Sequence, residues 1–340
     1  MKNKKLSSII LVIITAIVIY FLLRGNFKDV MNSIIHVNFF WITLTIILYI
    51  IYLVLQTIPF YDFGKIYSKN LSFSYMFYII IVTNFFNGIT PLATGGQPLQ
   101  IYELHKKDIS TVDASNIVIQ NSIIFQLSVV IWSFIAIIVN NTFHLFIVSN
   151  TLKKLVFIGI TLNVLLLLVF IIISFSKSFD QKIINGIINI LSKLHIVKKK
   201  NKQIEKWDKI CTEFYDNSKI LLNNKKLLLK GIILLLIAFA FYYTIPFTIA
   251  KALGCSGNLT ILSTIFLSSY VFLSSNYLPI PGATGGMEYS FIGYFNNYVT
   301  GYKLKALLIL WRFITYYLPT IIGGIIFNIY TLKSKKEEMN

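Results

Sequence analysis

Pro91-Leu92-Ala93-Thr94-Gly95-Gly96 recurs as Pro281-Gly282-Ala283-Thr284-Gly285-Gly286, changed only at its second residue. Both copies lie inside strongly apolar sequence. Proline breaks the helical hydrogen-bond ladder and glycine admits backbone angles that helices do not use. A lipid-facing segment cannot leave its backbone groups unpaired, so such breaks belong where protein or a wet cavity surrounds them. The duplication predicts two broken membrane elements that face one site. Tight turns between packed half-helices are the structural alternative.

The surrounding composition fixes the class. Of 340 residues, 56% are hydrophobic and 13% charged, about half the charge of a soluble domain. Long apolar runs make the chain a polytopic membrane protein. The formal charge of +18 sits mainly in loops and tails, as the positive-inside rule expects, and nucleic acid is not the expected partner. Cys211 and Cys255 lie far apart, and His36, His105, His144 and His195 are scattered. No metal spacing arises, and no metal or cofactor is expected. The basic start could open a signal peptide, but no small-x-small site follows Leu23, which favours an uncleaved first span at Ser7 to Leu23.

The remaining spans follow in order. Phe39 to Phe60 crosses, and Asp62, Lys65 and Lys69 follow it. Tyr75 to Ile89 leads into the first Gly motif. Ala114 to Val139 crosses while carrying Asn116, Gln120, Asn121 and Gln126, which should face protein or water. Leu155 to Phe175 crosses back. Residues 177–230 then hold thirteen lysines against five acids, a net of +8. Ile183, Ile184, Ile187, Ile188 and Leu191 recur there at helical spacing. This reads as an amphipathic helix on an anionic inner-leaflet surface, or equally as a solvated connector. Gly231 to Leu253 crosses, Leu259 to Leu278 leads into the second motif, and Ala306 to Tyr330 is the last span.

Charge decides the topology. If both motif segments crossed fully, the +8 loop would fall outside; if only the second crossed, the lysine-rich C-terminus would. If each dips in and returns, every lysine-rich stretch is cytoplasmic. The expectation is therefore an all-α polytopic membrane protein of six full spans plus two re-entrant Gly/Pro hairpins. Both termini are cytoplasmic, in a multi-pass protein of the cell membrane. Residues 39–139 and 231–330 form an inverted-topology repeat around the basic loop 177–230, in one integral membrane domain. Many secondary transporters share that plan.

The candidate site residues are Pro91, Thr94, Gly95, Gly96, Gln97, Pro281, Thr284, Gly285, Gly286, Glu288 and Arg312. Amides at half-helix ends can hold an anionic group such as phosphate. Glu288 and Arg312 lie in apolar sequence, where each charge costs about 2.5–3.5 kcal/mol on insertion scales. An ion pair inside the bundle is the simplest arrangement; a purely structural pair, or an Arg312 that snorkels to the interface, is the alternative. Glu103 and His105 are expected at a solvated end.

Leu278-Pro279-Ile280-Pro281-Gly282-Ala283-Thr284-Gly285-Gly286-Met287-Glu288 resembles the Pro-x-Pro-Gly-Gly-x-Gly-x-x-Glu signature of the lysylphosphatidylglycerol synthase transmembrane family, the flippase-like domain of the multiple peptide resistance factor. Leu310-Trp311-Arg312-Phe313-Ile314-Thr315-Tyr316-Tyr317-Leu318-Pro319, with Gly323, looks like that family's last conserved helix. Pro91 to Leu104 sits at its Pro-x-x-x-Gly-Glu element, but Gln97 follows Gly96 where the family often has Glu. That departure counts against a proton-linked role for the first hairpin. The resemblance covers essentially the whole chain. It implies an integral membrane protein that moves a membrane phospholipid, such as aminoacylated phosphatidylglycerol, between leaflets. In bifunctional relatives a separate cytoplasmic domain makes that lipid from aminoacyl-tRNA. No such domain follows the last span before Asn340, so that chemistry is not expected here. The alternatives are the lysyltransferase of the family label, which would need lysyl-tRNA as partner, and a non-transporting partner of a cell-envelope enzyme. A homo-oligomer stays open.

Overall fold

In a computed structural model, residues 20, 24–193 and 200–339 are described, and among them the fold is helical with no strand. The expected first span, Ser7 to Leu23, lies outside the described residues except for Tyr20. A short helix α1 (Phe27–Ile35) precedes α2 (Phe39–Tyr67). Then come α3 (Phe73–Ile89), a 3₁₀ turn (Pro91–Ala93), α4 (Gly96–His105), α5 (Thr111–Phe143) and α6 (Asn150–Phe175). Helices α7 (Lys177–Lys193) and α8 (Lys200–Asn223) lead to α9 (Lys225–Ala252) and α10 (Ile261–Ser275). A second 3₁₀ turn (Pro281–Ala283) precedes α11 (Gly286–Phe295). Helix α12 (Gly301–Arg312) passes through a π-turn (Phe313–Tyr317) into α13 (Leu318–Met339).

Helix starts follow local chemistry. Asn38, Ser72, Ser110, Ser149, Asn224 and Thr260 each accept a backbone N–H from the turn they open, which satisfies a donor that the helix cannot. Among the described residues, five stretches are long and apolar enough to cross a membrane: α2, α5, α6, α9 and Gly301–Leu332. Each matches an expected span, although α2 runs on to Tyr67 beyond the expected end at Phe60.

The core is built from helix pairs. Helices α2 and α9 share the most extensive packing and run antiparallel. Thr45 bonds Thr248 at 2.8 Å, the rings of Tyr52 and Tyr242 lie 4.8 Å apart, and Asp62 meets Lys230 at 2.7 Å. Helix α13 lies antiparallel along α3. Tyr78 stacks on Tyr330 at 4.0 Å, Phe86 meets Phe327 at 5.1 Å, and Gly88 abuts Thr320. On the other side α10 packs on α5 and α6, and the two 3₁₀ turns touch each other. Gly159 of α6 admits α10 so closely that an added Cβ would lie 2.0 Å from the Leu273 carbonyl oxygen.

Polar residues in α5 face protein, as expected. Asn116 donates to the Phe214 carbonyl and accepts from Ser218, so it docks α8. Gln120 donates to Ser174 at 3.1 Å, and Gln126 donates to Asn163 and Tyr277. The isoleucines of α7 fall on a helix as their spacing predicts. Ile184 and Ile188 turn toward α8 while Ile183, Ile187 and Ile190 stay exposed. An apolar cavity of about 500 Å³ lies where α7 and α8 meet α5 and α6. Asp180 lines it, and desolvation pushes its carboxyl up to about 6.

The two turns adopt a left-handed backbone at equivalent positions: Leu92 (φ 56°) and Ala93 (φ 52°) in the first, Gly282 (φ 61°) and Ala283 (φ 50°) in the second. Leu92 is exposed and bears the strain with room for its side chain. Gly282 has none: a Cβ there would meet the Tyr316 ring at 2.2 Å.

Two outcomes follow. Gly282→Ala adds left-handed strain of about 1 kcal/mol to an overlap of about 1–3 kcal/mol, and should lower the thermal midpoint in detergent. Leu92→Gly should leave it unchanged or higher; the reverse order would contradict the assigned turn geometry. For Asp180, burial favours the protonated acid, so docking of α7 weakens as pH rises from the ordinary carboxylate value through about 6. Hydrogen-exchange protection of α7, corrected for intrinsic rate, should be greater at pH 5 than at pH 7.5. Asp180→Asn should remove the difference.

Candidate functional site

The second turn is built by its own sequence. Pro279 and Pro281 prevent α10 from continuing, and Gly285 takes φ 92°, a region open to glycine. Helix α11 then begins, with Glu288 in its first turn. One carboxylate oxygen, Oε2, accepts the Gly285 N–H at 2.5 Å, which caps the helix and places negative charge at the positive end of its dipole. The other, Oε1, lies 2.7 Å from Arg312 Nε. Both side chains are buried, at 4% and 5% exposure, so neither snorkels.

Arg312 closes α12 and reaches into the turn from the opposite element. Its Nη2 donates to the Gly282 carbonyl at 3.0 Å and to Thr284 Oγ1 at 3.4 Å. Thr284 in turn donates to the Pro281 carbonyl at 2.9 Å. The guanidinium lies over the Tyr316 ring at 4.3 Å, a cation–π contact strengthened by exclusion of water. Tyr316 stands one turn on from Arg312, so the two share a helix face. Its hydroxyl donates to the Gly88 carbonyl at 2.9 Å, at the end of α3. One guanidinium therefore ties the second turn to α12, and Tyr316 carries the connection to the end of α3.

The first turn has no charge of its own. Gly95 N–H donates to Thr90 Oγ1 and Gly96 N–H to Asn87 Oδ1, each at 2.9 Å. Thr94 donates to the Pro91 carbonyl at 3.0 Å. Pro91, Thr94 and Gln97 are exposed. Of the expected site residues, Thr284, Gly285, Glu288 and Arg312 form one bonded cluster. Pro281 joins it through its carbonyl, while Gly286 packs against Leu278 at the start of α11. Pro91, Thr94, Gly95, Gly96 and Gln97 lie outside that cluster. The amides of Gly95, Gly96 and Gly285 already have protein acceptors, so a phosphate would meet other donors first.

Glu103 corrects an expectation. It is 2% exposed and not at a solvated end. Tyr75 donates to its Oε2 at 2.9 Å and Lys106 meets its Oε1 at 3.1 Å. The short α4 turns that carboxylate back toward α3, a packing choice that linear hydropathy does not report. His105 is exposed, as expected.

Beside the touching turns lies a two-lobed cavity of about 280 and 150 Å³. Leu92 and Ala93 of the first turn line both lobes, with Asn84, Asn87, Phe272 and Asn276. Gln97 and Gln100 reach the larger lobe, and Gly282 and Arg312 the smaller. Sequence reasoning took up the α5 amides but passed over Asn84, Asn87 and Asn276. The same signal, an amide in an apolar segment, marks them.

The family described as lysylphosphatidylglycerol synthase TM region matches residues 8–323. The uncharacterized protein MG306 homolog of Mycoplasma pneumoniae is 23% identical, over 93% of this chain and 85% of its own length. The uncharacterized protein MG306 of Mycoplasma genitalium is 22% identical, over 96% and 88%. With its apolar helices and broken-helix motifs in place, the chain is a multi-pass membrane protein and belongs to the lysylphosphatidylglycerol synthase transmembrane family, which ties it to lysylphosphatidylglycerol metabolism or transport.

Proposed function

We propose that the chain is a flippase-like transporter that moves a phospholipid between the leaflets of the cell membrane, with the headgroup passing beside the two touching turns. The observation that carries this reading is the meeting of two broken-helix elements at one polar cavity within an apolar bundle. A polar cavity there gives a headgroup what hydrocarbon cannot.

Helix lengths support two re-entrant hairpins. At 1.5 Å per residue, α3 with 17 residues and α10 with 15 are each too short for a hydrocarbon core of about 30 Å. The pairings support an inverted repeat over residues 39–139 and 231–330. Helix α2 packs on its counterpart α9. Each hairpin's first helix packs on the other half's third span, α3 on α13 and α10 on α5. With a first span before residue 24, this reading has six crossings, cytoplasmic termini and the 177–230 region at the anionic inner leaflet. Aminoacylated phosphatidylglycerol is the candidate cargo that family membership suggests.

Arg312 and Glu288 hold the second turn while the cavity beside it stays polar. Their role is tested in liposomes containing the purified chain, by following fluorescent phospholipids across the bilayer. Wild-type protein should accelerate exchange over empty liposomes. Glu288→Gln leaves Arg312 buried without its counter-charge, and breaking such a pair costs about 3–5 kcal/mol. Arg312→Ala removes the tie to the turn. Each should lower the thermal midpoint and slow lipid movement at least tenfold. No exchange by the wild type across a broad lipid panel would end the transport reading. Normal exchange by both variants would confine the pair to a structural role. Lysyl lipid formed from lysyl-tRNA and phosphatidylglycerol would put the synthase reading first.

A further inference from the structure

The cavity's polar lining is almost wholly neutral. Around the larger lobe stand Asn87, Gln97, Gln100, Asn121, Gln126 and Asn276, with Ser and Thr hydroxyls and no Asp, Glu, Lys, Arg or His. The smaller lobe adds one charged side chain, Arg312, already matched by Glu288. Both Glu288 oxygens are engaged, by Gly285 N–H and by Arg312. Glu103 is spent on Tyr75 and Lys106. Among the described residues, no carboxylate is left to meet a cation in this cavity. An ammonium brought there would lose water and gain no counter-charge.

One amide on the cavity wall has an unanswered acceptor. Asn121 is 9% exposed and lines the larger lobe, and its Oδ1 has no hydrogen-bond partner among the described residues. A buried acceptor without a donor is costly. Gln126 differs, being held by Asn163 and Tyr277. The aromatic side chains of Tyr52, Phe125, Phe170 and Tyr277 complete the wall. Carboxamides that donate and accept together, beside rings, suit hydroxyl groups on an aliphatic frame.

Resting on the transport reading above but departing from the cargo that family membership suggests, we infer that this cavity takes a hydroxyl-rich headgroup without an amine, and that an aminoacylated lipid is the poorer cargo. The shared chemistry is a polyol, which a glycerol or a sugar headgroup can supply. Asn121 is the specificity-determining residue, its side chain turning to present the unpaired Oδ1 to a headgroup hydroxyl.

The full chain in liposomes is offered three tail-labelled lipids with matched acyl chains: phosphatidylglycerol, a diglucosyl diacylglycerol and lysyl-phosphatidylglycerol. At least one of the first two should move faster than the lysyl lipid, and which one does so distinguishes glycerol from sugar. Asn121→Leu should slow the preferred lipid roughly tenfold, about the worth of one lost hydrogen bond. Asn121→Asp places a carboxylate in the cavity and should raise movement of the lysyl lipid relative to the others. Wild-type protein that moves the lysyl lipid as fast as the better polyol lipid overturns the inference. So does an unchanged preference in both variants. If no lipid moves, the transport reading falls, and thermal stabilisation by short-chain forms of the three lipids decides the headgroup. Greater stabilisation by a polyol lipid, lost in Asn121→Leu, upholds the assignment; equal or greater stabilisation by the lysyl lipid rejects it.

Discussion

A guanidinium buried in an apolar bundle must find partners for its charge and its planar set of donors. Arg312 finds them all in one neighbourhood: a carboxylate, a turn carbonyl, a threonine hydroxyl and a tyrosine face. The rest of the site is arranged to make that possible. Proline stops α10 so that the turn can present its carbonyl. Glycine at 282 clears the space that Tyr316 fills. Glu288 caps α11 with one oxygen and leaves the other for the guanidinium. Removing any partner would leave charge or a polar group stranded where water is scarce.

The same cluster accounts for the unequal finish of two matched turns. Their backbones agree in the left-handed pair at 92–93 and 282–283. The first is closed by neutral caps, Thr90 and Asn87; the second by ionised side chains. Neutral caps leave the first turn's surface open beside the cavity. The charged closure packs Ala283 and Thr284 away. The Tyr316–Gly88 bond then links the side of the charge-closed turn to the helix that leads into the barer one.

Much of this was legible in order along the chain. Hydropathy places the long helices, and capping residues such as Ser72 and Thr260 mark where helices begin. The repeated motif marks where α3 and α10 stop. Cost arguments identify Glu288 and Arg312 as partners, because two charges in apolar sequence have few ways to be satisfied. What stayed hidden depends on which side a side chain turns. Glu103 sits among polar neighbours in sequence, yet α4 folds it beneath Tyr75. Asn87 reads as an ordinary polar residue near a helix end, but it caps Gly96 and lines the cavity. Tyr316 gains its role only because a helix from the far end of the chain reaches the end of α3.

Helix α6 is fastened to α10 and to the segment just beyond it at consecutive turns. Gly159 lets its backbone touch the Leu273 carbonyl. Asn163, four residues on, engages Tyr277 just beyond α10, and Gln126 of α5. Below these points α6 runs on into α7, and α8 is docked to α5 by Asn116, Asn217 and Ser218. At Gly159 no side chain of α6 stands between it and the α10 backbone, so the two helices meet in direct backbone contact. Through α6, the helix that leads into the second turn is thereby in unbroken contact with the basic helices, whose exposed isoleucines lie far from the Arg312 cluster in sequence.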